Sequence, residues 1–121
     1  DYDNDGRIDL VVAQNGAAAK LYHNQIARSG LRIHLKGPQG NPLGFGAVVR
    51  ARNSNSAGPA KELHCGSGYW SQDSAVLVMA VPDGSSEIVI RWPGGRETRS
   101  PVESEFREIE IDQNGAVQVL K

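Results

Sequence analysis

The sequence predicts an all-β fold, an antiparallel β-sandwich or barrel-like domain preceded by a β-hairpin. Three observations predict it. Fourteen glycines and six prolines punctuate the 121 residues at short intervals. The runs between them alternate apolar with polar residues or are rich in β-branched ones. No stretch carries a sustained helical stripe.

Taken in order, the expected strands cover residues 8–12, 21–23, 31–36, 47–52, 61–65, 75–81, 87–92, 107–111 and 116–120. The run 31–36 is the cleanest, with Leu31, Ile33 and Leu35 on one face and Arg32, His34 and Lys36 on the other. In the run 87–92, Ile88, Ile90 and Trp92 share a face, which assigns Trp92 to the core. Turn signals separate the runs: Asn15-Gly16, Gly37-Pro38, Asn41-Pro42, Pro82-Asp83-Gly84, Pro93-Gly94-Gly95 and Asn114-Gly115. Asn114-Gly115 is the strongest hairpin signal, read as a two-residue turn that needs positive φ. Gly44-x-Gly46 has no helix after it, so it reads as a bulge or a close backbone approach rather than a dinucleotide loop. The three histidines, His23, His34 and His64, fall on expected strands as partly exposed positions.

Charge and composition narrow the function classes. Thirteen Lys and Arg face fourteen Asp and Glu, a net charge of −1, which offers no broad basic footprint for nucleic acid or anionic lipid. No apolar run approaches the ~20 residues of a membrane helix, so no membrane insertion is expected. One cysteine excludes an internal disulfide framework and a CxxC zinc site. Enzyme signatures are missing as well. Cys65-Gly66-Ser67-Gly68-Tyr69 echoes a papain-type segment but has Gly68 where the nucleophile belongs. Ser67 lies outside a G-x-S-x-G elbow, and His64-Cys65 has no second pair at zinc spacing. The expected protein is not an enzyme.

The organisation is uneven. Residues 1–25 hold an acidic loop and a hairpin, 26–30 a connector, and 31–121 one continuous β-domain, within which 53–59 is a polar, turn-rich loop. The acidic loop, Asp1-Tyr2-Asp3-Asn4-Asp5-Gly6-Arg7-Ile8-Asp9, places oxygen donors at positions 1, 3, 5 and 9 and a glycine at 6. A hard cation wants six to eight oxygens at short range, and side chains at 1, 3 and 5 with the carbonyl at 7 can wrap one. Carboxylates packed this closely repel one another without it. An EF-hand would carry Glu at position 12, where this chain has Val12, and β-branched residues follow, so the loop leads into a strand.

This loop, with Leu10-Val11-Val12 and Leu21-Tyr22-His23-Asn24, resembles an FG-GAP (VCBS) repeat, the blade of calcium-binding β-propellers in integrins and secreted bacterial proteins. The resemblance implies that residues 1–25 end a propeller and that the N-terminal hairpin is part of a propeller-type repeat. It also implies that calcium is held by Asp1, Asp3, Asp5, the carbonyl of Arg7, and Asp9. The abrupt start at Asp1 suggests a piece of a longer protein. Calcium is then expected in the intact parent and weakly or not at all in this fragment. The preceding strand is missing, a chain end frays, and the Asp1 amino group adds positive charge.

Downstream, Gly44-Phe45-Gly46-Ala47-Val48-Val49, Gly66-Ser67-Gly68-Tyr69-Trp70-Ser71-Gln72 and Ile88-Val89-Ile90-Arg91-Trp92-Pro93-Gly94-Gly95-Arg96 recur in an order that resembles the ASPIC/UnbV domain, which commonly follows FG-GAP repeats in extracellular proteins. Two stretches depart from that pattern. Val78-Met79-Ala80-Val81-Pro82 stands in place of a Phe-Gly-Leu-Gly-like segment, and Trp92-Pro93-Gly94-Gly95 in place of Trp-Pro-Ser-Gly. The resemblance implies a non-catalytic module that is extracellular, on the cell surface or periplasmic, active in adhesion, assembly or protein interaction. Its partner would be an extracellular protein or glycan. A second expectation is an accessory carbohydrate- or ligand-binding domain of a secreted enzyme, with Tyr69, Trp70 and Gln72 as contact residues. As neighbours on a strand, Tyr69 and Trp70 would point opposite ways, which leaves at most one exposed.

Overall fold

The computed structural model describes residues 1–81 and 87–121, and the chain is all β. The turn expected at Pro82-Asp83-Gly84 lies outside the described residues. Among the described residues ten strands follow one another: β1 (Leu10–Gln14), β2 (Ala17–Tyr22), β3 (Leu31–Lys36), β4 (Val48–Arg52), β5 (Lys61–Glu62), β6 (Val76–Met79), β7 (Glu87–Arg91), β8 (Glu97–Pro101), β9 (Glu108–Asp112) and β10 (Val117–Val119). They form a two-stranded sheet β1-β2 and two four-stranded sheets, β10-β9-β3-β6 and β5-β4-β7-β8.

The four-stranded sheets share one apolar core, as alternation requires. Leu31, Ile33 and Leu35 of β3, Leu77 and Met79 of β6, and Ile109 and Ile111 of β9 are buried from one sheet. Val49 and Ala51 of β4, Ile88 and Ile90 of β7, and Trp92 just after it are buried from the other. Trp92 is core, as its phase predicts, and its indole Nε1 donates to Thr98 Oγ1 at 2.8 Å. That bond satisfies a buried N–H that would otherwise cost free energy. Gly44, at φ +71°, lies where an added Cβ would stand 3.0 Å from Leu35 Cβ and 3.1 Å from the Trp92 ring. The close approach expected there is the reason for a glycine.

The arrangement departs from expectation in several places, each with a local cause. Strand β8 has no counterpart in the expected runs, because Thr98 and Ser100 fill its inward face where apolar residues would have marked it. Ser100 is fully buried and its hydroxyl donates to the Gly115 carbonyl at 2.9 Å, which ties the two sheets together. β3 and β9 pair in parallel, whereas every other strand pairing among the described residues is antiparallel. The expected run 61–65 contracts to the two residues of β5, and the expected 21–23 becomes the longer β2 starting at Ala17. His34 alone of the histidines lies in a strand; His23 and His64 follow the ends of β2 and β5.

The hairpin at Asn114-Gly115 exists but is not a two-residue turn. Gly115 has φ +87° and Asn114 is not in the left-handed region. The Gly115 N–H donates to the Asp112 carbonyl at 3.0 Å and the Asp112 N–H to the Ala116 carbonyl at 3.1 Å. The geometry is a type I turn followed by a left-handed glycine bulge. The Asp112 carboxylate accepts the N–H groups of Asn114 at 2.8 Å and Ala116 at 2.9 Å, and so holds the turn from inside. The polar 53–59 loop is likewise closed by one side chain, Asn53, whose Oδ1 accepts N–H groups from Asn55 and Ser56.

Candidate metal centre

The acidic loop precedes β1 and folds back against the connector before β3. Two residues in the left-handed region let it turn, Asn4 at φ +62° and Gly6 at φ +83°. The Gly30 N–H donates to the Gly6 carbonyl at 2.7 Å, and a Cβ on Gly6 would stand 2.8 Å from the Gly30 carbonyl oxygen. Position 6 is glycine for both reasons, its φ and this approach.

The loop gathers the sequence-predicted ligands into two overlapping groups. Asp1, Asp3 and Asp9 each offer an atom within 4.8 Å of the others, and so do Asp3, Asp5 and His23. Asp3 belongs to both. Asp5 leans away from Asp1 and Asp9: its Oδ1 accepts the Arg7 N–H at 2.8 Å, and its Oδ2 pairs with the Arg7 guanidinium. Arg7 was expected to offer only its carbonyl. Its side chain instead supplies a cation and, through Nε, a 2.9 Å bond to the Asn24 carbonyl at the end of the hairpin.

Asp9 fastens the loop to the hairpin. Its Oδ1 accepts the Asn24 N–H at 2.8 Å and its Oδ2 the Tyr2 N–H at 3.0 Å. The Asn24 N–H, followed by that of Tyr2, the Asp1 amino group and His23, holds the Asp9 carboxyl below its ordinary range against the burial that raises it. It is therefore an anion at neutral pH.

Each carboxylate of the loop has a polar or charged neighbour within the chain. Asp1 pairs with Arg32, Asp5 with Arg7, Asp3 lies 3.1 Å from His23 Nε2, and Asp9 lies 3.7 Å from the Asp1 amino group. Arg32 and His23 are residues that sequence reasoning missed. Arg32 sits on the polar face of β3, as expected, yet only 9% of it is exposed because the loop covers it. Its Nε is buried without a hydrogen bond of its own, 3.4 Å from Glu108 Oε1, and Glu108 also meets His34 Nε2 at 2.7 Å. His34 first, then Arg32, holds the Glu108 carboxyl below its ordinary range. A run of polar contacts thus extends from Asp1 through Arg32 and Glu108 to His34, along the outward face of β3 and β9.

The donor set suits a hard cation, since it is made of carboxylate oxygens drawn together with glycine at the sharp turn. Asp1, Asp3 and Asp9 form the gathered set; Asp5 would have to leave Arg7 to join it.

The other expected contact residues lie elsewhere. Tyr69 and Trp70 are both exposed, more than nine-tenths each, against the expectation that one would be turned inward. They are not on a strand: Gly68 bridges to Ser71, and the two aromatics occupy the tip of the turn between them. Trp70 has φ +54°, and the rings meet edge to face at 6.2 Å and 82°. Gln72 follows, exposed.

No curated protein and no solved structure matches the chain. The model of the family described as ASPIC and UnbV matches residues 37–118, which run from before β4 into β10. The chain belongs to the ASPIC and UnbV family.

Proposed function

We propose that this chain is a non-catalytic extracellular β-module that follows a calcium-stabilised propeller and serves adhesion, assembly or protein interaction. One observation carries the calcium part: Asp1, Asp3 and Asp9 bring oxygens within 4.8 Å of one another on a loop whose glycine permits the turn. Bound calcium would neutralise these carboxylates and stiffen the entry to the hairpin. Millimolar-range calcium loops suit extracellular fluid, which supports a secreted, cell-surface or periplasmic setting.

Calcium titration calorimetry tests the reading on this chain and on a longer one that includes the preceding residues. The longer chain should bind calcium, and Asp3→Asn should abolish the heat because Asp3 serves both groups. Unchanged binding by Asp3→Asn, or no binding by the longer chain, rejects the metal assignment.

The exposed turn-tip pair Tyr69 and Trp70 favours a second reading, a carbohydrate- or ligand-binding accessory domain of a secreted enzyme. Aromatic faces at a loop tip, with Gln72 beside them, suit sugar rings. A glycan array with Tyr69→Ala and Trp70→Ala decides between the two.

A further inference from the structure

The outward face of sheet β5-β4-β7-β8 carries Arg50, Arg52, Arg91 and Arg99 together with Glu62, Glu87 and Glu97. Register alone would pair Arg52 with Glu87 and Arg91 with Glu97, which lie directly opposite one another. The side chains distribute differently. Arg99 takes both carboxylates, 3.7 Å from Glu87 and 3.1 Å from Glu97, while Glu62 turns to His64 at 3.5 Å. Arg50, Arg52 and Arg91 are left without an ion pair among the described residues, and Arg52 Nε is buried with no hydrogen-bond partner.

These three arginines line one groove of about 490 Å³. Its floor is apolar, made by Val48 and Val89, and the 53–60 loop closes one side with Ala57 and Ala60. Val89 points away from the core and is 8% exposed, flanked on the neighbouring strands by Arg50 and Arg99.

The chemistry of such a groove is one-sided. Each guanidinium presents five N–H donors and no acceptor, in a planar fork that matches a carboxylate. Arg50 and Arg52 are two residues apart on one strand, roughly 7 Å along it, so the matching anions must recur at short intervals. An apolar floor takes the C–H face of a ring, and Glu97 offers an acceptor to hydroxyl groups. The groove lies over the central strands β4 and β7, away from a sheet edge, and offers a peptide no row of backbone groups to pair with. The net charge of −1 gives no wider basic track for a nucleic-acid backbone.

We propose that this groove binds a linear polyuronate, with Arg50, Arg52 and Arg91 as the carboxylate-binding residues and Arg99 as the positioning residue that holds Glu87 and Glu97 in ion pairs of its own. It deepens the interaction-module reading by naming a partner class, and it requires neither the calcium loop nor the aromatic turn.

Isothermal titration of the full chain with an oligogalacturonate, in buffer containing EDTA and at low and high salt, tests it without calcium. Binding should appear at low salt and weaken as salt rises. Arg50→Gln with Arg91→Gln should cost about tenfold or more in affinity, the loss of charge-assisted hydrogen bonds. Both side chains are exposed, so the variant keeps its fold, and its circular dichroism checks this. Arg99→Gln should weaken binding, because the freed glutamates then compete for Arg52 and Arg91. Glu87→Gln should leave binding intact or strengthen it, which a mere count of arginines at a structural position would not explain. Absence of binding at low salt, equal binding of neutral dextran, tighter binding of dextran sulfate or polyglutamate, or insensitivity to the Arg50/Arg91 change overturns the proposal. So does loss of binding in Trp70→Ala, which would move the contact to the aromatic turn.

Discussion

The hairpin β1-β2 and the sandwich are built from the same kind of strand and held by different forces. In the sandwich, inward positions on facing sheets are buried, and Ile33, Val49, Ile88, Ile90, Ile109 and Ile111 are sealed from solvent altogether. In the hairpin, Leu10, Val11, Leu21 and Tyr22 are all exposed, and among the described residues no third strand pairs with it. Its geometry depends on the loop before it, where Asp9 accepts two backbone N–H groups and Arg7 reaches the Asn24 carbonyl. One region is ordered by apolar area removed from water, the other by charge and hydrogen bonds. The comparison teaches that regular secondary structure does not report how a segment is stabilised.

The sharpest way to break the comparison is to make the same kind of truncation in both regions. Ile90→Ala should destabilise the chain by about 2–5 kcal/mol, as large-to-small changes in sealed cores do. Val11→Ala in the hairpin should change stability by no more than about 0.5 kcal/mol. Urea unfolding of the two variants measures both, and equal shifts in midpoint would erase the distinction.

Arg32 tests the junction between the regions. Arg32→Met keeps much of the side-chain volume but leaves Asp1 and Glu108 without their shared cation, and should cost roughly 1–3 kcal/mol. The same variant should bind calcium more tightly, because Asp1 no longer has an internal competitor. Calorimetry and urea unfolding on one preparation read the opposite signs. Tighter folding or weaker calcium binding would show that Arg32 does not link the two.

Smaller effects lie within the sandwich. Gly115→Ala places a Cβ on a residue at φ +87° and should cost about 1–2 kcal/mol. Thermal unfolding reads it, and a neutral outcome would mean the bulge relaxes. The smallest effect is a pH dependence. The N–H of Ala116, then that of Asn114, holds the Asp112 carboxyl below its ordinary range. A depressed folded-state value means the stabilisation is fully present above the unfolded value of about 3.9 and is lost as pH falls through the folded one. Stability of the parent chain should therefore drop at the acid end more steeply than that of Asp112→Asn. Urea midpoints between pH 2 and pH 6 supply the check.

Much of the sandwich was legible because burial imposes a period of two. Leu31/Ile33/Leu35 and Ile88/Ile90/Trp92 announced their faces, and the structure buries all six. Strand β8 was illegible for the converse reason: Thr98 and Ser100 are buried through hydrogen bonds to Trp92 and Gly115, which no hydropathy pattern registers. The parallel pairing of β3 with β9 was hidden too, since alternation fixes which face is inward and leaves the neighbour open. At the acidic loop, spacing revealed the candidate ligands. It did not reveal Arg32 and His23, whose approach depends on how the loop folds back over β3 and the end of β2. Tyr69 and Trp70 were misjudged because they were placed on a strand; on a turn, adjacent side chains need not alternate.

The pairing of β3 with β9 also makes one sheet depend on a late part of the chain. Arg32 stands opposite Glu108, so the middle of one sheet is made from segments far apart in the sequence. The sheet β5-β4-β7-β8 is complete at Pro101, and its strands can assemble first through antiparallel neighbours. Until β9 arrives, β3 has only β6 beside it and presents an open row of backbone N–H and C=O groups. Closing so long a loop costs entropy before the pairing repays it, which slows this step. A chain still being synthesised would hold one finished sheet and one unfinished one, with Ile33 and Leu35 waiting on Ile109 and Ile111. The last two strands therefore act as the lock of the domain, and a chain stopped before them is the form most exposed to pairing with the wrong neighbour.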